Sequence, residues 1–455
     1  MALRLTVLVP LLGGALLLFF WSWRADPRFF YLLDTKPGRV VSDALGWSLA
    51  WVAPDAKDAF PAEMTSEESR VLDDLRARVA GAVPSHRLVL KSGKSMFGRL
   101  LEQGPASVRF QESFGNNGSL SARIQRSRIL ELAPIDSAVP EITYRDVRFQ
   151  MEFEDLNLFK RPPYTILTDE KYFRVEDTIR LLQRLHNEFD EWFGPLVQGV
   201  ERRENIQVLF FSNEEYFREY QGRHAPRMST SVGFYSPPLD RFVLFNQGNS
   251  EQMHAMTKQL EARAEAYREQ EGMYGGAGRI EAWRRASGRR MARLAAEQTR
   301  ETVRHEGAHQ LLFTYGVHSR YRVENDWLYE GLAVFCEGRV IGEEHRHRAG
   351  VLKGALKDDR LIPLPELVNH RSARGLFSFG GEEQVDLAYT EAWSLVHYLM
   401  QPERRDGFFD YLKRVRDPDA FWAVLDENRY DLLCRTLHMT PEELTDGWCA
   451  HVRKL

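Results

Sequence analysis

The chain has 455 residues and a formal net charge of −4, with 61 lysines and arginines nearly balancing 65 acids. That length suggests two or three domains, and an aromatic content of 12% belongs to a packed chain and not to a disordered one. The charge balance asks for no nucleic-acid partner. Three cysteines, Cys336, Cys434 and Cys449, are too few for a disulfide framework, although a single Cys434–Cys449 bridge stays open.

From Leu5 to Trp23 the chain reads LTVLVPLLGGALLLFFWSW, free of charge over about the twenty residues that a bilayer span requires. The following WSWRADP lacks the small residues of a cleavage site, and Trp21 and Trp23 beside Arg24 resemble an interfacial belt. Residues 1–24 are therefore expected to be an uncleaved membrane anchor, with a cleaved signal as the alternative. The long remainder is expected on the extracytoplasmic side, periplasmic or at the cell surface. Residues 25–83 read as a tether punctuated by Pro27, Pro37, Pro54 and Pro61, with one helix opened by the capping box TSEE at Thr65.

Residues 84–135 change texture. HRLVLKSGKSMFGRLLEQGPASVRF alternates apolar and polar residues around turns at Ser92-Gly93 and Gly104-Pro105, and SARIQRSRILEL adds further short strands. The LKSGKSMFGRL hairpin resembles the opening strands of SH3-like and Sm-like barrels, which implies a small β-barrel here. With few basic or aromatic residues interleaved, a spacer or adaptor role is expected and nucleic-acid binding is not.

Beyond Pro140 the pattern is mixed. PYTILTD, NIQVLFF and RFVLFN read as strands, and Ile179, Leu182, Leu185, Phe189 and Trp192 recur at helical spacing. Residues 251–270 form a charged helix. The glycines of GMYGGAG lack the Lys-Ser/Thr of a phosphate loop and read as a link. A long helix then runs to Thr314, and almost everything from Asp326 onward is helical. The fold class is α+β.

The long helix carries RHEGAHQLLF. His305 and His309, four residues apart, share a face and can address one ion, and Glu306 lies beside the open coordination position, where it can take a proton from a metal-bound water. A hydrolytic zinc site needs a third protein ligand, and Glu330, twenty-one positions after His309 in NDWLYEGLAVFCEG, offers one. Asn325 and Asp326 are candidate N-caps for that second helix. Glu337 lies seven positions further on the same face and can accept a hydrogen bond from a ligand histidine.

These residues resemble the gluzincins, zinc metallopeptidases of the thermolysin and aminopeptidase N type, and WLYEGLAVFCE is similar to the W-x-x-E-G-x-A signature of the aminopeptidase branch. The resemblance is close from His305 to Glu337 and loose over 140–455. It implies a thermolysin-like catalytic domain there, with one zinc per chain held by His305, His309 and Glu330, Glu306 as general base, and a peptide or protein substrate. It also implies a phenol donor to the oxyanion, and Tyr389 stands fifty-nine positions after Glu330. In that family an edge strand binds the substrate backbone, which points to GFY with FVLFN, and hence to Gly233, Tyr235 and Val243. The G-A-M-E-N exopeptidase motif has no counterpart, the nearest stretch being SVGFYSPP, so endo- and exo-cleavage both stay open. The rival reading is a membrane-tethered, inactive scaffold on the same fold. His318, His345 and His347 read as solvated loop residues, His397 as a core histidine and Cys336 as a small buried apolar residue.

Overall fold

The computed structural model describes residues 61–455 except 62, 83, 94, 114–118, 136–138, 171, 201–204, 226–230, 238, 272–276, 319–324, 371–375, 378–380 and 417–427. The expected membrane segment 1–24, the tether up to residue 60 and the glycine link at 272–276 lie outside the described residues. Among the described residues no helix is long and apolar enough to cross a membrane. The fold is α+β, with ten strands in two five-stranded sheets and thirteen helices among the described residues. Two compact units divide the chain, one comprising residues 57–187 and 202–310, the other residues 188–201 and 311–455. The region 140–455, expected as one domain, is thus shared between both.

The first of these units opens with α1 (Ser66–Ala82). Its capping box forms as the sequence dictates: the Thr65 amide donates to Glu68 at 2.8 Å, and the Glu68 amide donates to Thr65 Oγ1 at 3.1 Å. The helix is more than a tether. Leu72, Leu75 and Val79 are buried in the same core as Val147, Phe149 and Leu209.

Next come β1 (His86–Leu90), β2 (Ser95–Gln103), β3 (Ser107–Ser113), β4 (Ser119–Gln125) and β5 (Ile129–Pro134), an antiparallel sheet in the order β4-β3-β2-β1-β5. The last strand returns beside the first, and Leu88, Met96, Val108 and Phe110 form a core of its own. Gly98 lets β2 close on β3, because a Cβ there would stand 2.1 Å from the Gln111 carbonyl oxygen.

The second sheet gathers β6 (Asn157–Arg161), β7 (Tyr164–Thr168), β8 (Ile206–Phe211), β9 (Gly233–Ser236) and β10 (Arg241–Phe245), in the order β6-β7-β8-β10-β9. β7, β8 and β10 run parallel, and β6 and β9 are antiparallel edges. Every residue of β7, β8 and β10 is buried, as the continuous apolar runs of central parallel strands demand. Around the sheet lie α2 (Tyr144–Glu152), α3 (Tyr172–Phe193), α4 (Glu214–His224), α5 (Glu251–Glu271) and α6 (Ala277–Thr314). The β6 strand, NLFKR, was not evident in the sequence, where one charged pair in five residues hides it.

A buried charge holds the start of α2 to this sheet. Asp146, with no exposed surface, receives the ammonium of Lys160 from β6, the Thr165 hydroxyl from β7 at 2.8 Å and the Asn205 amide at 2.8 Å. It also accepts the Thr143 amide at 2.8 Å, completing a capping box for α2.

The other unit is helical: α7 (Asp326–Glu337), α8 (Arg346–Lys357), α9 (Leu364–Asn369), α10 (Glu382–Leu399), α11 (Pro402–Arg416), α12 (Arg429–Leu437) and α13 (Pro441–Lys454). α7 and α10 cross at Gly331, where a Cβ would stand 2.7 Å from the Ala392 carbonyl oxygen. Trp327, Trp393 and Trp448 are fully buried around them.

Removing one partner of a buried pair strands the other charge, so Asp146→Ala is expected to cost about 3–5 kcal/mol. Urea unfolding measures it, and a loss below about 1 kcal/mol would show that Lys160 finds another partner or escapes to water.

Candidate metal centre

The C-terminal third of α6 is apolar on its inner side: Val303, Ala308, Leu311 and Leu312 are buried. Gly307, between the two histidines, sits where a Cβ would meet Leu182 and Leu185 of α3 at 3.0 Å each. A glycine at the crossing lets α6 seat directly on α3. Gln310, fully buried, donates from its side chain to the Gln207 carbonyl of β8 at 2.7 Å. The helix turn from His305 to His309 is therefore seated on α3 at its middle and tied to β8 just past its end, and the two imidazole rings have centroids 5.0 Å apart.

Glu330 lies in the second turn of α7. Asn325 is at the N-cap, but its side chain makes no capping hydrogen bond; buried Trp327 and the Gly331–Ala392 crossing fix the helix instead. One ligand atom each from His305, His309 and Glu330 all lie within 4.8 Å of one another, a group that could hold a metal ion. His309 is buried, whereas His305 and Glu330 are partly exposed.

Glu306 points to the sheet edge. Its Oε2 accepts the backbone N–H of Tyr235 at 2.8 Å. Tyr235 pairs with Phe242 on one side of β9, and alternate residues of an edge strand turn their amides outward, which aims this one at α6. Gly233 makes the approach feasible, since a Cβ there would stand 2.6 Å from Thr302 Cγ2.

Two expectations for the edge strand change in detail. Val243 is fully buried in the core on β10, one strand inside the edge, so it cannot touch a substrate. The Tyr235 side chain is 5% exposed, and its phenol donates to Asp240 at 2.9 Å. Gly233, Phe234 and Ser236 are buried as well, so no side chain of β9 is open to a substrate.

Tyr389 lies on α10 one turn before Ala392, at the crossing with the residue that follows Glu330, and its ring stands edge-on to Phe377 at 5.3 Å. Glu337 ends α7 with Arg348 of α8 at 3.7 Å, and Arg348 reaches on to Thr390 of α10 at 3.2 Å.

The other histidines divide. His347 is exposed, as expected. His318 is not: it is 2% exposed, with its ring against Tyr329 at 4.4 Å and Phe313 at 5.2 Å. His345 is half-buried against Trp393, and burial pushes its pKa down while Glu337 opposes the shift. Arginine-rich flanks suggested surface for both, but neither ring follows its flanks. His397 is in the core, with Nδ1 2.9 Å from Nε2 of His451; burial first, then His397, pushes His451 down to about 4. Cys336 is buried, and Cys434 and Cys449 are free thiols, which closes the open question of their bridge.

Glu391, two residues past Tyr389, was not foreseen. It has no exposed surface, accepts the Ile362 amide at 2.9 Å, and burial pushes its pKa up to about 8.

Residues 299–419 match a family described as a protein of unknown function (DUF1570). That span includes His305, Glu306, His309, Glu330, Glu337 and Tyr389. No curated protein matches the chain.

A carboxyl raised from 4.5 to about 8 keeps its proton in the folded state where the unfolded chain has lost it. Stability contributed by Glu391 is full below about 4.5 and falls as pH rises toward 8, by up to about 1.4 kcal/mol per pH unit. Glu391→Gln is expected to leave Tm unchanged near pH 4 and to raise it at pH 8, on the order of several degrees. Parallel melting curves for both proteins over this pH range would refute the assignment.

Proposed function

We propose that this protein is a membrane-tethered, zinc-dependent hydrolase of peptide bonds, with a gluzincin-like catalytic region. The observation that carries the reading is the approach of His305, His309 and Glu330 to within 4.8 Å of one another. Two imidazoles and one carboxylate are the donor set of catalytic zinc, which leaves a fourth position for water. Donors about 2 Å from a shared ion stand roughly 3–3.5 Å apart, so small side-chain adjustments suffice. One bound zinc would polarise the scissile carbonyl and lower the pKa of its water.

The chain's own groups supply the rest. Glu306, oriented by the Tyr235 amide at Oε2, would take the proton of the attacking water and return it to the leaving amine. Tyr389, a neutral phenol on the helix that crosses α7 beside Glu330, would donate to the oxyanion. With the Tyr235 amide taken by Glu306, the backbone carbonyls of β9 at Gly233 and Tyr235 would align an extended peptide. Glu337, through its position at the end of α7, would help orient the ligands.

The uncharged run Leu5–Trp23 supports attachment to a membrane, with the catalytic region on the extracytoplasmic side. The antiparallel sheet at 86–134, whose LKSGKSMFGRL hairpin resembles in sequence the opening strands of SH3-like and Sm-like barrels, would serve as a spacer or adaptor.

Purified protein is expected to hold about one zinc per chain by elemental analysis, in both the wild type and Glu306→Gln. Cleavage of a peptide library should fall by roughly 10²–10⁴-fold in Glu306→Gln. Zinc itself should be lost in His309→Ala and Glu330→Ala. Undiminished cleavage in Glu306→Gln would sink the mechanism, and zinc without cleavage of any peptide would favour the scaffold.

A further inference from the structure

The connection between β9 and β10 holds a residue that a turn alone does not call for. Asp240 lies at φ +49°, in the left-handed region, and its amide donates to the Pro237 carbonyl at 3.3 Å. Glycine or asparagine makes such a turn as readily, and neither brings a charge with it. The Asp240 side chain is only 4% exposed. A carboxylate withdrawn so far from water is unfavourable unless donors match its oxygens.

Both oxygens are matched. Oδ1 accepts the phenol of Tyr235 at 2.9 Å, and Oδ2 meets Arg145 of α2 at 2.9 Å. Arg145 precedes Asp146, whose bonds to Lys160, Thr165 and Asn205 tie the first turn of α2 to the sheet. Asp240 is thus held from the interior as well as by its own turn. Tyr235 is in turn held at two ends of one residue, its phenol on Asp240 and its amide on Glu306 Oε2 at 2.8 Å. β9 is four residues long and pairs with β10 along one side only, so its ladder offers little resistance to a shift or twist of the strand. The phenol bond supplies that resistance at the residue whose amide meets Glu306.

We propose that Asp240, backed by Arg145, is a positioning residue that acts on Glu306 through Tyr235. The inference rests on reading Glu306 as the general base, and it adds the groups that keep this base in place. A shift of about 1 Å in a reacting group can cost roughly a hundredfold in rate. A base that has drifted slows the proton transfer and leaves substrate binding alone, so the effect belongs in kcat.

The test compares wild type with Tyr235→Phe, Asp240→Gly and Asp240→Asn on a peptide that the wild type cleaves. Asp240→Gly keeps the left-handed turn and deletes the carboxylate, whereas Asp240→Asn keeps the turn and an oxygen for the phenol. In Tyr235→Phe and Asp240→Gly, kcat should fall roughly tenfold with KM and zinc content unchanged, and Asp240→Asn should restore most of it. In a Glu306→Gln background neither change should lower kcat further, because the group they act through is gone. Hydrogen–deuterium exchange in peptides covering 233–236 should be faster in Tyr235→Phe and Asp240→Gly, with or without zinc. Unchanged kcat and unchanged exchange overturn the proposal. So does a loss that adds to that of Glu306→Gln, or one carried by KM or by zinc content. Should Asp240→Gly not fold, Tyr235→Phe decides by the same readings. Should the wild type cleave no peptide, the general-base reading falls, and exchange alone decides: faster exchange upholds Asp240 as the group that holds Tyr235 on Glu306, and unchanged exchange overturns it.

Discussion

A hydrogen bond from the Tyr235 amide of β9 to the Glu306 carboxylate of α6 joins the edge of the mixed sheet to the helix that carries both histidines. It requires the strand and helix backbones to come close, and two glycines make that possible. Gly233 has no Cβ to strike Thr302, and Gly307 has none to strike Leu182 and Leu185 on the other side of the helix. The helix is thereby seated between an edge strand and α3 with little freedom to shift. A backbone amide that orients this carboxylate gives it the fixed position that a base needs.

The same device recurs in the helical unit. Gly331 admits the backbone of α10 at Ala392, which sets the rotation of α7 and hence the direction of Glu330 beside it. Arg348 then bridges the end of α7 at Glu337 to Thr390. Buried polar groups in this unit are handled by unusual means. Glu391 is kept as a neutral acid by burial, and His397 and His451 share one hydrogen bond while burial keeps their pKa values low. Such groups define one packing arrangement at some expense of stability.

In the mixed sheet the polar core does the opposite work. Asp146 is charge-paired with Lys160 and hydrogen-bonded by Thr165 and Asn205, so four separate chain segments agree on the position of one carboxylate. Arg241 does likewise at the other end of α2, paired with Glu152 at 2.7 Å and stacked over Phe149 at 4.6 Å. These anchors hold β10, and through it β9, in the register that aims Tyr235 at Glu306.

The sequence alone determined what local periodicity and spacing encode. The continuous runs TILT, QVLFF and FVLF read as strands, the TSEE box as the start of a helix, and two histidines four apart on a helix share a face. The choice of Glu330 as their companion also came from spacing and motif. Tertiary structure decided what depends on neighbours distant in the chain. Nothing near Leu72, Leu75 or Val79 says that α1 joins the sheet core. Nothing in the arginine-rich flanks of His318 reveals that Tyr329 and Phe313 cover its ring. Val243 and Gly233 look alike as strand residues, yet only the strand order places one in the core and the other at the edge. Burial and partner choice are sums over the whole packed chain, and a local pattern carries no record of them.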